Sequence, residues 1–73
     1  MNWDQIEGKW KQFKGSAKQN WGKLTDDDLD YISGSRDKLI GKIQERYGMQ
    51  KEDAQKRVDQ WCETVPENEP VRR

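Results

Sequence analysis

The stretch GKWKQFKGSAKQNWG at residues 8–22 decides the fold, because GSRDKLIGKIQERYG at residues 34–48 repeats its plan 26 positions later. Both stretches carry three glycines spaced seven apart. The side chains that coincide under the shift are similar in kind: Phe13 and Leu39, Ala17 and Ile43, Trp21 and Tyr47. The pattern predicts an internal duplication of a helix–turn–helix unit.

The first helix is predicted from about Trp3 to about Trp21. At the helical step of 100° per residue, its apolar residues fall within an arc of roughly 80° and form a core face. These residues are Trp3, Ile6, Trp10, Phe13, Ala17, Trp21 and Leu24. Gly22 is expected to end the helix in the left-handed conformation, and Gly8 is a point where the first turn could break away.

Three further helices follow from capping and periodicity. Thr25 with Asp28 three positions later predicts a capping box, followed by a short helix that stops near Gly34. Ser35 is expected to cap a helix over residues 36–47, with Gly48 as its stop. The last helix is predicted over residues 51–64, because Ala54, Val58, Trp61 and Val65 share one face.

The fold class is therefore all-α, a small bundle of two packed helical hairpins with four main helices. Each hairpin alone would expose its apolar stripe, so packing the two together is needed to bury both. Residues 1–65 are expected to form a single domain, and residues 66–73, which follow the break at Pro66, a frayed polar tail.

Composition narrows the class of protein. The chain has 73 residues, of which 38% are charged and 30% hydrophobic, and its 14 basic residues balance 14 acidic ones. No apolar run is long enough for a membrane span, no signal peptide is visible, and the lone Cys62 excludes an intrachain disulfide. These features favour a cytoplasmic location.

Residues that could carry catalysis or bind a metal are sparse. The chain has no histidine, so the commonest general base and metal ligand is missing, and Cys62 has no base to activate it. The acidic cluster at residues 26–30 does not match a calcium loop, and helix capping explains it without a metal. We therefore predict no enzyme activity, no catalytic residues, no cofactor and no metal.

Two basic ridges leave nucleic-acid binding open as an alternative. The first helix carries Lys11, Lys14 and Lys18, and the third carries Lys38, Lys42 and Arg46. Such ridges can contact phosphates, but the helix that follows each one begins with carboxylates that would repel them. A solvated helix face explains the same pattern.

A partner surface is the other alternative. Gly15 and Gly41 lie in mid-helix, roughly 160° and 150° from the centres of their apolar stripes. A mid-helix glycine costs about 1 kcal/mol relative to alanine, so either tolerated flexibility or close approach by a partner accounts for the pair. The sequence does not name the partner or the oligomeric state.

The residues that carry the repeat also resemble a known family. The runs at residues 8–15, 21–28, 34–39 and 41–48, together with Ala54, Val58 and Trp61, are similar to the CsbD-like family of small bacterial proteins. The resemblance covers roughly residues 8–62. It implies two packed helical hairpins in a SAM-like layout and a cytoplasmic protein made under general or osmotic stress. It implies no enzyme and supplies no binding residues.

The sequence thus leaves three functions open. The first is a non-enzymatic stress-response protein, acting as a hydrophilic protectant through its hydrated surface. The second is a nucleic-acid-binding module that uses the basic ridges. The third is a protein–protein interaction domain that meets its partner near Gly15 and Gly41.

Overall fold

The computed structural model describes residues 3–64, which form five helices and no strand. The helices are α1 (Trp3–Gly8), α2 (Trp10–Asn20), α3 (Asp26–Ile32), α4 (Arg36–Tyr47) and α5 (Lys51–Thr64). The all-α prediction is confirmed. The predicted role of Val65 and the predicted tail at residues 66–73 lie outside the described residues, and the SAM-like layout stays a prediction.

The predicted first helix is two helices, because the chain leaves helical geometry at Lys9. The backbone of Lys9 has φ −120° and ψ 36°, and its carbonyl accepts from the Phe13 amide at 3.2 Å as α2 begins. The break comes directly after Gly8, the residue at which the sequence allowed one. The short helix α1 can therefore take its own direction across the bundle.

The prediction for Gly22 is wrong, whereas the one for Gly48 is confirmed. Gly48 ends α4 in the left-handed region, at φ 66° and ψ 29°. Gly22 does not have a positive φ. The chain leaves α2 at Trp21, whose carbonyl accepts from the Leu24 amide at 3.0 Å, so this turn reverses the chain without a left-handed residue.

The predicted helix starts are confirmed at α3 and α4. The Asp28 amide donates to Thr25 Oγ1 at 3.0 Å, and the Thr25 amide donates to Asp28 Oδ2 at 3.1 Å, which completes the capping box. Ser35 Oγ accepts from the Lys38 amide at 3.3 Å. Between these helices, Ser33 (φ 51°) and Gly34 (φ 87°) make a left-handed turn.

One apolar core is shared by all five helices, and it contains the residues that the periodicity assigned to the inner faces of α1 to α5. Trp3 and Tyr47 are only partly buried and pack against its edge, as do Met49 and Cys62. The buried apolar residues are Ile6, Trp10, Phe13, Ala17, Trp21, Leu24, Leu29, Ile32, Leu39, Ile40, Ile43, Ala54, Val58 and Trp61.

Tryptophan side chains join the ends of the chain within this core. Trp61 of α5 makes edge-to-face contacts with Trp21 and Trp3, with ring centroids 5.5 and 5.9 Å apart. The indole N–H of Trp3 donates to the Gly34 carbonyl at 2.7 Å, which docks α1 onto the turn between α3 and α4. The helix α4 packs against both α3 and α5.

Candidate functional site

The first predicted basic ridge, on α2, is largely paired with aspartates of α3. Lys14 forms an ion pair with Asp30, and Lys18 Nζ lies 2.7 Å from Asp26 Oδ1. These contacts raise the pKa of Lys14 and lower that of Asp26. Lys11 is exposed and has no ion pair among residues 3–64.

The second ridge, on α4, also turns toward α3. Arg46 donates to both carboxylate oxygens of Asp28, each at 2.9 Å. Lys42 Nζ lies 3.5 Å from Asp28 Oδ1 and 3.4 Å from Glu45 Oε1. The structure therefore brings four of the six ridge cations, two from each ridge, against the carboxylates of α3.

Asp28 is the centre of this charge network. It is the one buried charged residue in the described part of the chain, and it accepts from Arg46 of α4 and from the backbone amide of Thr25. The guanidinium of Arg46, followed by the Thr25 amide, holds the pKa of this carboxyl well below its usual range. The sequence predicts the role of Asp28 in the capping box but not its ion pair with Arg46 of α4. The usable signal was an acidic helix between two basic ridges.

An exposed aromatic side chain marks a second feature that sequence reasoning missed. Tyr31 is 56% exposed and is the one large exposed hydrophobic residue among those described. The ammonium groups of Lys38 and Lys42 lie 4.9 and 5.1 Å from the centroid of its ring. We refer to Tyr31, Lys38, Gly41 and Lys42 as the Tyr31 face; it borders a groove of about 340 Å³.

The two mid-helix glycines both open onto solvent, as predicted. A Cβ placed at either Gly15 or Gly41 would have no neighbour within 4 Å. Gly41 lines the groove beside Tyr31, so it lies within an aromatic and charged surface. The two glycines thus have different surroundings, because Gly41 lies beside two of the three cations of the second basic ridge, Lys38 and Lys42.

Within residues 3–64, no group of three or more acidic, cysteine or histidine side chains is arranged to hold a metal ion. Asp26, Asp28 and Asp30 each contact a cation of a neighbouring helix instead. Cys62 is half-buried, and burial raises the pKa of its thiol, which makes the thiolate less available.

None of the described helices combines the length and the apolar character that crossing a membrane requires.

Comparison with known proteins assigns the chain to a family. The family model described as CsbD-like matches residues 4–56. A UPF0337 protein of Pectobacterium atrosepticum is 66% identical over 61 residues, covering 84% of this chain and 88% of that protein. The UPF0337 protein YjbJ of Escherichia coli strain K12 is 62% identical over the same shares of both chains. A relative from Rhodopseudomonas palustris is 60% identical over 89% of this chain and 98% of its own.

These matches place the chain in a class of small bacterial general stress-response proteins. The chain belongs to the CsbD-like family.

Proposed function

We propose that this chain is a non-enzymatic, cytoplasmic stress-response protein that protects other macromolecules when water is withdrawn. Membership of the CsbD-like family supports the stress role. The protectant activity rests on the surface, because such a protein acts through abundance and hydration.

The observation that carries this proposal is the internally balanced charge of the exterior. The mean hydropathy is −1.40, and within residues 3–64 the large apolar side chains are buried or partly buried apart from Tyr31. Basic ridges on α2 and α4 meet the carboxylates of α3, so opposite charges alternate over short distances and the net charge is zero. Such a surface stays hydrated and has no strong attraction for one particular charged partner.

Drying and freeze–thaw cycles of a labile enzyme test the protectant activity. Lactate dehydrogenase is dried with this protein or with an unrelated folded protein of equal size, at equal mass concentration. We expect more residual enzyme activity with this protein, rising with its concentration. Equal protection by the two proteins would remove the support for this function.

A charge-reduced variant provides the matched control. Lys11→Gln, Lys56→Gln, Glu52→Gln and Glu63→Gln together remove four exposed charges and keep the net charge at zero. None of the four side chains makes an ion pair within residues 3–64. The variant should melt at nearly the same temperature and protect less. Unchanged protection would show that surface charge is not the active property.

The interaction-domain alternative is favoured by one specific observation, the Tyr31 face. An exposed ring beside a glycine allows close approach of a partner, and aromatic residues are enriched at the centres of interfaces. Replacing Gly15 and Gly41 with alanine should raise the stability of the monomer. If self-association or pull-down partners survive that double substitution unchanged, neither glycine takes part in an interface.

The nucleic-acid alternative keeps its own test. Ion pairs with α3 reduce the positive charge that Lys14, Lys18, Lys42 and Arg46 could offer to phosphates. If the ridges bind nucleic acid, retardation of DNA or RNA should depend on salt and weaken when Lys11, Lys14 and Lys18 become glutamine. Absence of retardation at low salt would end this hypothesis.

A further inference from the structure

A groove between α2, α4 and α5 has the size and chemistry of a small-molecule site. It lies where the end of α2, the end of α4 and the last turns of α5 come together, and its volume is about 590 Å³. Small-molecule sites commonly have volumes of roughly 300–1,000 Å³. We call it the Trp21 groove; its lining includes Trp21, Tyr47, Met49, Arg57, Gln60 and Trp61.

Trp21 contributes a hydrogen-bond donor for which the described part of the chain offers no acceptor. The other three indole N–H groups have acceptors, in the Gly34 carbonyl for Trp3, the Leu29 carbonyl for Trp10 and Ser16 Oγ for Trp61. Trp21 is only 4% exposed, and its indole N–H finds no acceptor within residues 3–64. A buried donor that lacks a partner costs free energy, so an acceptor brought by a ligand would be favourable there.

Arg57 adds a cation that forms no ion pair with the described residues. The other two arginines of the described chain bind carboxylates, Arg36 with Asp59 and Arg46 with Asp28. Arg57 has no ion pair within residues 3–64, although Asp53 lies one turn earlier on α5. A guanidinium that no described carboxylate pairs with is suited to bind the carboxylate of a ligand.

The apolar part of the lining and the backbone determine how a ligand could lie. Met49 and Tyr47 are half-buried and offer apolar surface, and Lys23 Nζ lies 5.2 Å from the centroid of the Tyr47 ring. The carbonyl ends of α2 and α4 also lie at this groove, and their partial negative charge repels anions. A carboxylate is therefore best placed on the α5 side, at Arg57.

We propose that the Trp21 groove binds a small organic anion, with its carboxylate at Arg57 and an aromatic or other apolar body against Met49 and Tyr47. The ligand also supplies an acceptor for the Trp21 indole N–H. This site is separate from the Tyr31 face, and it does not depend on the protectant function.

Titration of the full chain with 2-naphthoate, followed by ¹H–¹⁵N NMR, tests the site because the four indole N–H groups give separate resonances. We expect binding with a dissociation constant of about 1 mM or tighter. The indole resonance of Trp21 should shift most and that of Trp10 least. The neutral probe 2-naphthamide should bind about tenfold more weakly, since it cannot pair with the guanidinium.

Arg57→Gln and Lys11→Gln form a matched pair of variants. Both remove an exposed cation that makes no ion pair within residues 3–64, but only Arg57 lines the groove. Arg57→Gln should weaken 2-naphthoate binding about tenfold without changing the melting temperature, and Lys11→Gln should leave binding unchanged. Equal binding of the acid and the amide, equal loss in both variants, or no binding at 10 mM probe, far above the about 1 mM expected, would each overturn the proposal.

Discussion

The first half of the molecule (α1 to α3) and the second half (α4 and α5) have helices at corresponding positions, but they differ in how the helices end and in which residues are buried. Shifting residues 10–20 by 26 positions lays α2 on the first eleven residues of α4, and the same shift lays the start of α3 one residue inside α5. Yet Asp28, buried in the first half, corresponds to Ala54, buried in the second. Spacing thus indicates where helices form, whereas the ion pair of Asp28 with Arg46 depends on contact between the halves. The common origin of the halves stays a prediction.

The largest expected effect concerns a residue of α5 without an apolar counterpart. Under the shift, Trp61 corresponds to Ser35, and Trp61 contacts both Trp3 and Trp21. Trp61→Ala should lower the free energy of unfolding by about 3–5 kcal/mol, because a large core side chain is lost. Urea unfolding followed by circular dichroism measures the change. A loss below about 1 kcal/mol would mean that the tryptophan contacts do not hold the halves together.

Gly34 and Gly8 occupy corresponding positions but should respond in opposite directions to alanine. Gly34 has φ 87°, and an added Cβ would lie 3.0 Å from Glu7 Cα. Gly34→Ala should therefore cost about 2–3 kcal/mol, from backbone strain together with the close contact. Gly8 is helical and open to solvent, so Gly8→Ala should stabilise by about 0.5 kcal/mol. Similar melting temperatures for the two variants would contradict the docking of α1.

Asp28 should make the free energy of unfolding depend on pH in the acid range, whereas its counterpart Ala54 has no group that titrates. Asp28→Asn should reduce stability by about 2 kcal/mol at pH 7, since the bonds to a charged acceptor are weakened. The folded pKa of Asp28 is lowered, so its contribution is complete above roughly pH 5 and is lost as pH falls below roughly 4. The urea unfolding midpoints of the unchanged protein and of Asp28→Asn should therefore approach each other as the pH is lowered from 7 to 2. A constant difference would assign the effect to packing.

Gly48 and Gly22 provide the smallest contrast. Gly48 ends α4 in the left-handed conformation, whereas Gly22 does not adopt a positive φ. Gly48→Ala should cost about 1 kcal/mol, and Gly22→Ala should change stability by less than about 0.5 kcal/mol. Thermal unfolding of the two single variants measures both values. An equal cost at the two positions would indicate that Gly22 adopts the left-handed conformation that the sequence pattern predicts.

Much of the fold was predictable because amphipathic period and capping are local properties. The inner faces of α2, α4 and α5 and the capping box of Thr25 follow from residues within one or two turns of each other. The ion pair of Asp28 with Arg46 and the exposure of Tyr31 do not follow from nearby residues, because both depend on how α3 packs against α4. Gly22 shows the same limit, since a glycine permits a left-handed residue without requiring one.

Asp28 joins the two halves by binding Arg46, and with Lys42 nearby it pairs two of the three cations of the second basic ridge with a carboxylate. A double-mutant cycle with Asp28→Asn and Arg46→Gln, measured by urea unfolding at pH 7, tests this ion pair most directly. We expect a coupling free energy of about 1 kcal/mol or more between the two substitutions. Additive effects, with a coupling near zero, would contradict it.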